Sequence, residues 1–160
     1  MLHISKIYKL LNWNSSPEDQ KKGIRSAYRL KNISLLILPL SEDAGKPVWE
    51  NCARVLSELP DDRLAGHVSE LLEWLQDINW PGAFLICDRL KIFRGKELIA
   101  AVENAVAEAL EMPGEDGLIW LDYLSELLDN KLLVSGLSES SLRLLKAHYK
   151  NWAAWYDDEE

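Results

Sequence analysis

Residues 33–40, ISLLILPL, decide the fold class. The run is short, apolar and rich in branched side chains. It reads equally well as a buried strand or as a short helix, and periodicity alone does not separate the two. Pairing does. A strand needs a neighbour for its backbone N–H and C=O groups, and the chain offers no second run of comparable strength to supply one. We therefore read 33–40 as a short helix and the whole chain as all-α.

On either side, helical spacing dominates. Ile4, Ile7, Tyr8, Leu10 and Leu11 recur three and four residues apart and predict a helix over 4–13. Ser16-Pro17-Glu18-Asp19 reads as the start of the next: a capping hydroxyl, a proline suited to the first turn, and acids at the positive end of the dipole. That helix is expected to reach Lys31, with Ile24, Ala27 and Tyr28 inward. Downstream, Trp49, Cys52, Ala53, Leu56 and Leu59 share one face of a helix over 47–59. Asp61 and Asp62 are expected to cap a continuous helix over 62–76 whose stripe is Leu64, Val68, Leu71, Leu72 and Leu75. In the corner DINWP (77–81), Asn79 is the expected cap, Pro81 the first turn, and Asp77 a partner for a backbone N–H. A helix to Phe93 follows, with Ala83, Phe84, Ile86, Cys87 and Leu90 inward, and Gly95 ends it. Helices over 96–112, 118–129 and 138–156 complete the chain, separated by PGEDG (113–117) and the 130–137 stretch. Residues 157–160, DDEE, read as a frayed acidic tail.

The second helices of successive pairs begin near 17, 47, 80 and 117, at intervals of 30, 33 and 37 residues. Such a period suggests stacked helical pairs, each of which needs its neighbours to bury both faces. LLNW (10–13) and LLEW (71–74) end first helices in the same way, and VWENCARVL (48–56) and IWLDYLSEL (119–127) share an early Trp with inward residues three and four positions later. Helix, Asp- or Asn-containing corner, then helix with Ala and Leu inward resembles HEAT-type repeats. ELLEWLQDINWPGAF (70–84) in particular resembles the signature of a bacterial family of small HEAT-like proteins, a domain of unknown function. LLNWNSSPEDQKKGI (10–24) and VWENCARVLSELPDDRL (48–64) are similar to it as well. The resemblance implies an all-helical right-handed stack and brings no activity or catalytic residues with it. The expected architecture is a HEAT-like α-α superhelix of about four helical pairs plus a C-terminal helix, one domain over 1–156.

Composition narrows the function. The 160 residues are 48% hydrophobic, enough for a substantial core, and 28% charged, which argues against intrinsic disorder. The net charge is −8, so a nucleic-acid partner, which is gripped by Lys and Arg, is not expected. No apolar run reaches the roughly 18 residues that a bilayer span needs. The opening MLHISKIYKLLNWNSS lacks a long apolar stretch and a small-residue cleavage site, so no secretory leader is expected. Cys52 and Cys87 sit on apolar helix faces outside any CxxC pair and read as buried thiols of a cytoplasmic protein. Charge is graded along the chain: +5 over 1–31, −6 over 32–110 and −7 over 111–160.

Chemistry-bearing motifs are sparse. His3, His67 and His148 have no second His at metal-ligand spacing, PGEDG lacks a calcium loop's ligand set, and phosphate-loop, dinucleotide and zinc-protease patterns are absent. We expect no catalytic residues, no metal and no cofactor. Seven tryptophans are the compositional oddity; most are expected to bridge packed layers with their N–H on water or a carbonyl. Trp152 and Trp155, near the C-terminus, are candidates to be partly exposed and to anchor a partner. The polar positions of the second helices that would line a concave side are Lys21, Arg25, Glu50, Arg54, Asp88, Asp122 and Glu126. That graded surface suits a protein or peptide partner. The expected function is a protein-interaction scaffold, in a specific version an immunity-type protein that blocks a toxin. The alternatives are a HEAT-like nucleic-acid-processing enzyme of the glycosylase type and a small-molecule binder that uses the tryptophans. Oligomeric state is left open.

Overall fold

The computed structural model describes residues 3–149. Among them there is no strand, and the fold is all-α. The elements are α1 (Ile4–Leu11), α2 (Pro17–Ala27), α3 (Lys46–Glu58), α4 (Asp61–Leu64), α5 (Val68–Glu73), α6 (Ala83–Lys91), α7 (Glu97–Glu111), α8 (Asp116–Leu124), α9 (Lys131–Gly136) and α10 (Glu139–His148).

The deciding stretch is helical, in a tighter form than α. Ile33–Leu36 makes one 3₁₀ turn, opened by Asn32, whose side-chain oxygen accepts from the Ser34 N–H at 3.2 Å. Ile33, Leu36 and Ile37 are buried. Leu38 then takes a left-handed φ of 46° and the chain turns back towards α3. The backbone groups find partners without a ladder: the Pro39 carbonyl accepts the indole N–H of Trp49 at 2.9 Å.

Elsewhere the caps explain the boundaries. Ser16 accepts from the Asp19 N–H at 3.1 Å and Ser138 from the Ser141 N–H at 3.2 Å, so α2 and α10 start as their sequences predict. The stretch 62–76 is not one helix. Ala65–His67 winds as a 3₁₀ turn between α4 and α5, and Trp74–Gln76 tightens the end of α5. Asp61 and Asp62 do not cap it: Pro60 holds the cap position, and the Asp61 carboxylate faces Arg89 at 2.5 Å and the Arg94 N–H at 3.1 Å. Asn79 does not cap α6 either. Gly82 does, with φ 87°, because a Cβ there would stand 2.5 Å from Ala53 Cβ. Asp77 accepts from the Asn79 N–H at 2.9 Å, as expected. Ser125–Asp129 is a 3₁₀ turn that extends α8, and α9 lies in a stretch read from sequence as a connection. The expected helical run beyond His148 and the tail 157–160 lie outside the described residues.

Packing puts the helices in two rows. In one, α3 lies on α1 and α2 and then on α6, α6 lies on the 125–129 turn, and that turn and α8 lie on α10. In the other, α5 lies on α7 and α7 on α9, with α8 crossing back to α7. The crossing is close, since a Cβ on Gly117 would meet the Ala109 carbonyl oxygen at 2.0 Å. A contiguous apolar core runs between the rows, with Trp74, Trp120 and Phe93 among its largest buried side chains. The buried tryptophans Trp49, Trp74 and Trp120 keep their N–H groups bonded: Trp74 donates to the Pro81 carbonyl at 2.9 Å and Trp120 to the Leu72 carbonyl at 3.0 Å. Trp49 meets Trp74 and Trp80 edge to face, with centroids 6.4 and 5.6 Å away. No described helix is long and apolar enough to cross a membrane.

Candidate functional site

Helix α6 presents two faces. Ala83, Ile86, Cys87 and Leu90, at the spacing of one helical stripe, are buried. Phe84, Asp88 and Lys91 follow the same spacing one step round. Phe84 is 67% exposed, against the inward position its apolar character predicts. This second stripe forms one wall of a cleft of about 520 Å³. Tyr123 and Glu126, at the end of α8 and in the 125–129 turn, line it with the DINWP-corner residues Ile78 and Asn79.

Lys91 is the electrostatic centre. Its Nζ lies 3.3 Å from Asp129, 3.7 Å from Glu126 and 3.9 Å from Asp88. Burial works against its charge, but Cys87, Asp129 and Glu126 outweigh it and hold the ammonium above the ordinary lysine value. Beneath it, burial pushes the Cys87 thiol up to about 12; the Lys91 charge pulls the other way, and the carboxylates of Glu126, Asp88 and Asp129 add to the rise. Cys87 is therefore a packed thiol and not a thiolate nucleophile. Helix α10 closes the acidic side: His148 Nδ1 is 2.7 Å from the Asp122 carboxylate, and the Tyr149 hydroxyl donates to Asp129 at 2.5 Å. Among the described residues that line the cleft or contact Lys91, the carboxylates of Asp88, Glu126 and Asp129 outnumber the lysine, over a partly apolar wall. Such a place receives cationic and apolar groups together and repels anions.

The model of one family, a domain of unknown function (DUF5071), matches residues 42–154. The chain belongs to the DUF5071 family. No curated protein and no solved structure matches it. The matched span holds every lining residue of the cleft together with the stretches 48–64 and 70–84, and leaves out α1, α2 and the stretch 10–24.

In this DUF5071 protein the cleft takes in only some of the residues singled out from sequence. Asp88 and Glu126 line the cleft, and Asp122 lies beside it, held by His148. Arg25 and Lys21 are exposed on α2, away from it. Glu50 and Arg54 face each other across one turn of α3 at 3.9 Å. Trp152 and Trp155 lie outside the described residues. The sequence reading missed Lys91, Phe84 and Tyr123 as site residues. Their signal was present: Phe84, Asp88 and Lys91 fall four and three residues apart, and Tyr123 and Glu126 three apart.

One further cluster has the residue types of a hydrolytic relay. Ser34 Oγ lies 3.2 Å from His67 Nδ1, and Glu70 Oε1 lies 3.1 Å from the same nitrogen and 3.3 Å from the hydroxyl. A relay needs the serine and the acid on opposite ring nitrogens. Here both use Nδ1, so the acid cannot orient a base that takes the serine proton. The described residues hold no cluster of metal-ligating side chains.

Proposed function

We propose that this DUF5071 protein is a protein-interaction scaffold that grips its partner through the cleft between α6 and the 125–129 turn. The observation that carries the reading is Phe84, 67% exposed on the cleft wall one turn before Asp88. An aromatic side chain held outward on a rigid helix, beside charge, is the composition of an interface anchor. In this reading the two rows are a HEAT-like stack forming one domain over 1–156 of a cytoplasmic bacterial protein. The cleft occupies part of its concave side. The immunity-type version follows from charge: an acidic docking face suits a basic toxin, and complementary fields speed the encounter.

The test is site-specific crosslinking in the host. Benzoylphenylalanine in place of Phe84 is expected to capture one discrete protein, while the same group in place of Leu132, exposed on α9, captures none. Equal capture from both positions, or none from either, contradicts the scaffold reading. If the captured protein arrests growth when expressed alone and co-expression restores growth, the immunity-type version stands; a harmless partner removes that version.

A further inference from the structure

The cleft makes no use of α1 and α2. We infer that the outer layer formed by these two helices is a second docking surface, separate from the cleft, and that it receives a short acidic segment of another protein. The carboxylates of that segment lie along Lys6, Lys9, Lys21, Lys22, Arg25 and Arg29, and an apolar side chain beside them covers Trp13.

Three features support this. The first is unpaired charge. Residues 3–31 hold seven Lys or Arg against two acids, and residues 32–149 hold ten against twenty. A chain so rich in carboxylates can neutralise its cations internally, and downstream it does so: Arg54, Arg89, Lys91 and Arg143 each face a carboxylate within 3.9 Å. The six cations named above are all exposed, and none makes an ion pair with a described residue. The two acids, Glu18 and Asp19, stand in the first turn of α2, where the helix dipole already favours them.

The second is alignment. Helices α1 and α2 pack on each other and both on α3, so their solvent sides form the outer layer here. Lys6 and Lys9 stand three residues apart on α1, on the side away from the buried Ile7, Tyr8 and Leu11. Lys21, Lys22 and Arg25 share the side of α2 opposite the buried Gly23 and Ala27, and Arg29 follows one turn later. The backbones that carry these charges are locked together, since a Cβ on Gly23 would stand 2.8 Å from that of Leu10.

The third is Trp13, 49% exposed in the corner between the two helices. Its N–H donates to the Pro47 carbonyl at 3.0 Å, and its carbonyl accepts from the Gln20 amide at 3.1 Å. The Ser15 hydroxyl donates to the Lys9 carbonyl at 2.7 Å and folds the corner back on α1. An indole fixed at its backbone and left to solvent between two cation-bearing helices adds the apolar contact that a merely solvated charged face lacks.

Length selects the occupant. The 11 residues of α2 span roughly 16 Å, which about five extended residues cover. A nucleic-acid strand or a lipid surface runs past this layer and brings its phosphates towards the twenty acids of 32–149. A short acidic segment ends within the layer.

The experiment is a titration of the full chain, followed by amide chemical shifts, with blocked heptapeptides of glutamates or of glutamines around a central leucine. The glutamate peptide is expected to shift Lys9, Trp13, Lys22 and Arg25 and to leave Phe84 and Asp88 in place. Raising salt from about 0.05 to 0.5 M should weaken its binding about tenfold. Lys22→Glu combined with Arg25→Glu should also weaken it about tenfold, and Trp13→Ala about fivefold. If the first pair does not fold, Lys6→Glu combined with Lys9→Glu puts the same question to the other helix. The titration is repeated with a dodecameric oligothymidylate and with vesicles of phosphatidylcholine and phosphatidylserine. Tighter binding of either, lost on reversing Lys22 and Arg25, gives the surface to phosphates and overturns the acidic segment. Self-association in sedimentation that the same reversal removes gives it to a second copy and overturns the acidic segment too. So does equal binding of the glutamine peptide, or no shift at millimolar peptide. None of these outcomes bears on the cleft, whose own test is the crosslinking from position 84.

Discussion

At the front of the molecule the buried amide of Asn51 donates to the Leu11 carbonyl at 2.7 Å and the Gln20 side chain at 3.0 Å. At the rear Asn130 donates to the carbonyls of Leu90 and Phe93 at 2.9 and 2.8 Å and accepts from the Leu133 N–H at 3.1 Å. Each asparagine ties the end of one helix to an element about 40 positions further along the chain. Their surroundings differ. Around Asn51 most of the other long-range joints end on carbonyls: Tyr8 donates to the Leu35 carbonyl at 2.6 Å, Trp49 to that of Pro39 and the Arg63 guanidinium to that of Leu30, while Tyr28 donates to the Glu58 carboxylate. Around Asn130 they are ionic: Lys91 with its three carboxylates, His148 on Asp122, and Glu103 clasping the start of α10 through the Ser138 N–H at 2.6 Å and the Ser141 hydroxyl at 2.5 Å. A neutral donor aimed at a carbonyl works over a wide range of pH and salt, while a charged joint does not. The region that carries the cleft is thus also the region that conditions can loosen, and the carboxylates that fasten α10 stand beside those that rim the cleft.

The junction between the two regions should be the most sensitive point. Gly82→Ala places a side chain at φ 87°, 2.5 Å from Ala53 Cβ and 3.0 Å from the Trp49 carbonyl oxygen. We expect a loss of about 3 kcal/mol in urea unfolding, felt equally by probes at the front and the rear. Unfolding confined to one side would break the division drawn here. Next come the asparagines. Asn130→Ala strands two carbonyls and one N–H and should cost about 3 kcal/mol, against about 2 kcal/mol for Asn51→Ala. Neither loss should change much with added salt. The smallest effect separates the two regions by pH. Burial alone would raise the Glu103 carboxyl, but the hydrogen bonds from Ser141 and Ser138 overcome it and leave it below its usual 4.5. A lowered acid contributes stability above its unfolded value, and that contribution disappears as pH falls through the folded one. Amide protection of α10 should therefore weaken below about pH 4.5 while that of α1 and α2 persists. Glu103→Gln should remove most of this pH dependence. Equal acid sensitivity of α2 and α10 would contradict the contrast.

The sequence carried the two longest helices, α3 and α7, whose apolar spacing runs unbroken between clear stop signals. It carried the class of 33–40 by elimination, although the observed turn is 3₁₀ and shorter. The break at Ala65–His67 was not legible because the stripe Leu64, Val68, Leu71 continues across it in phase. Helix α9 is only six residues long, and its start is fixed by Asn130 through contacts that reach back to α6. Asp61 reads as a cap from sequence because its tertiary partner, Arg89, lies 28 positions on. The candidate site was legible in part. Asp88 and Glu126 follow from their faces, but Phe84 does not. Apolar character pointed it inward, whereas the buried stripe at Ala83, Ile86, Cys87 and Leu90 was already complete without it. Arg25, Glu50 and Arg54 were grouped with the acids by helix order alone, and order does not bring them to the cleft.

Hydrogen exchange on the protein with and without its crosslink-identified partner tests the central claim most directly. The account predicts slowed exchange over residues 78–91 and 119–129, with α1 and α2 unchanged. Protection that instead falls on the basic surface of α2, leaving the cleft exchanging at its free rate, would contradict it.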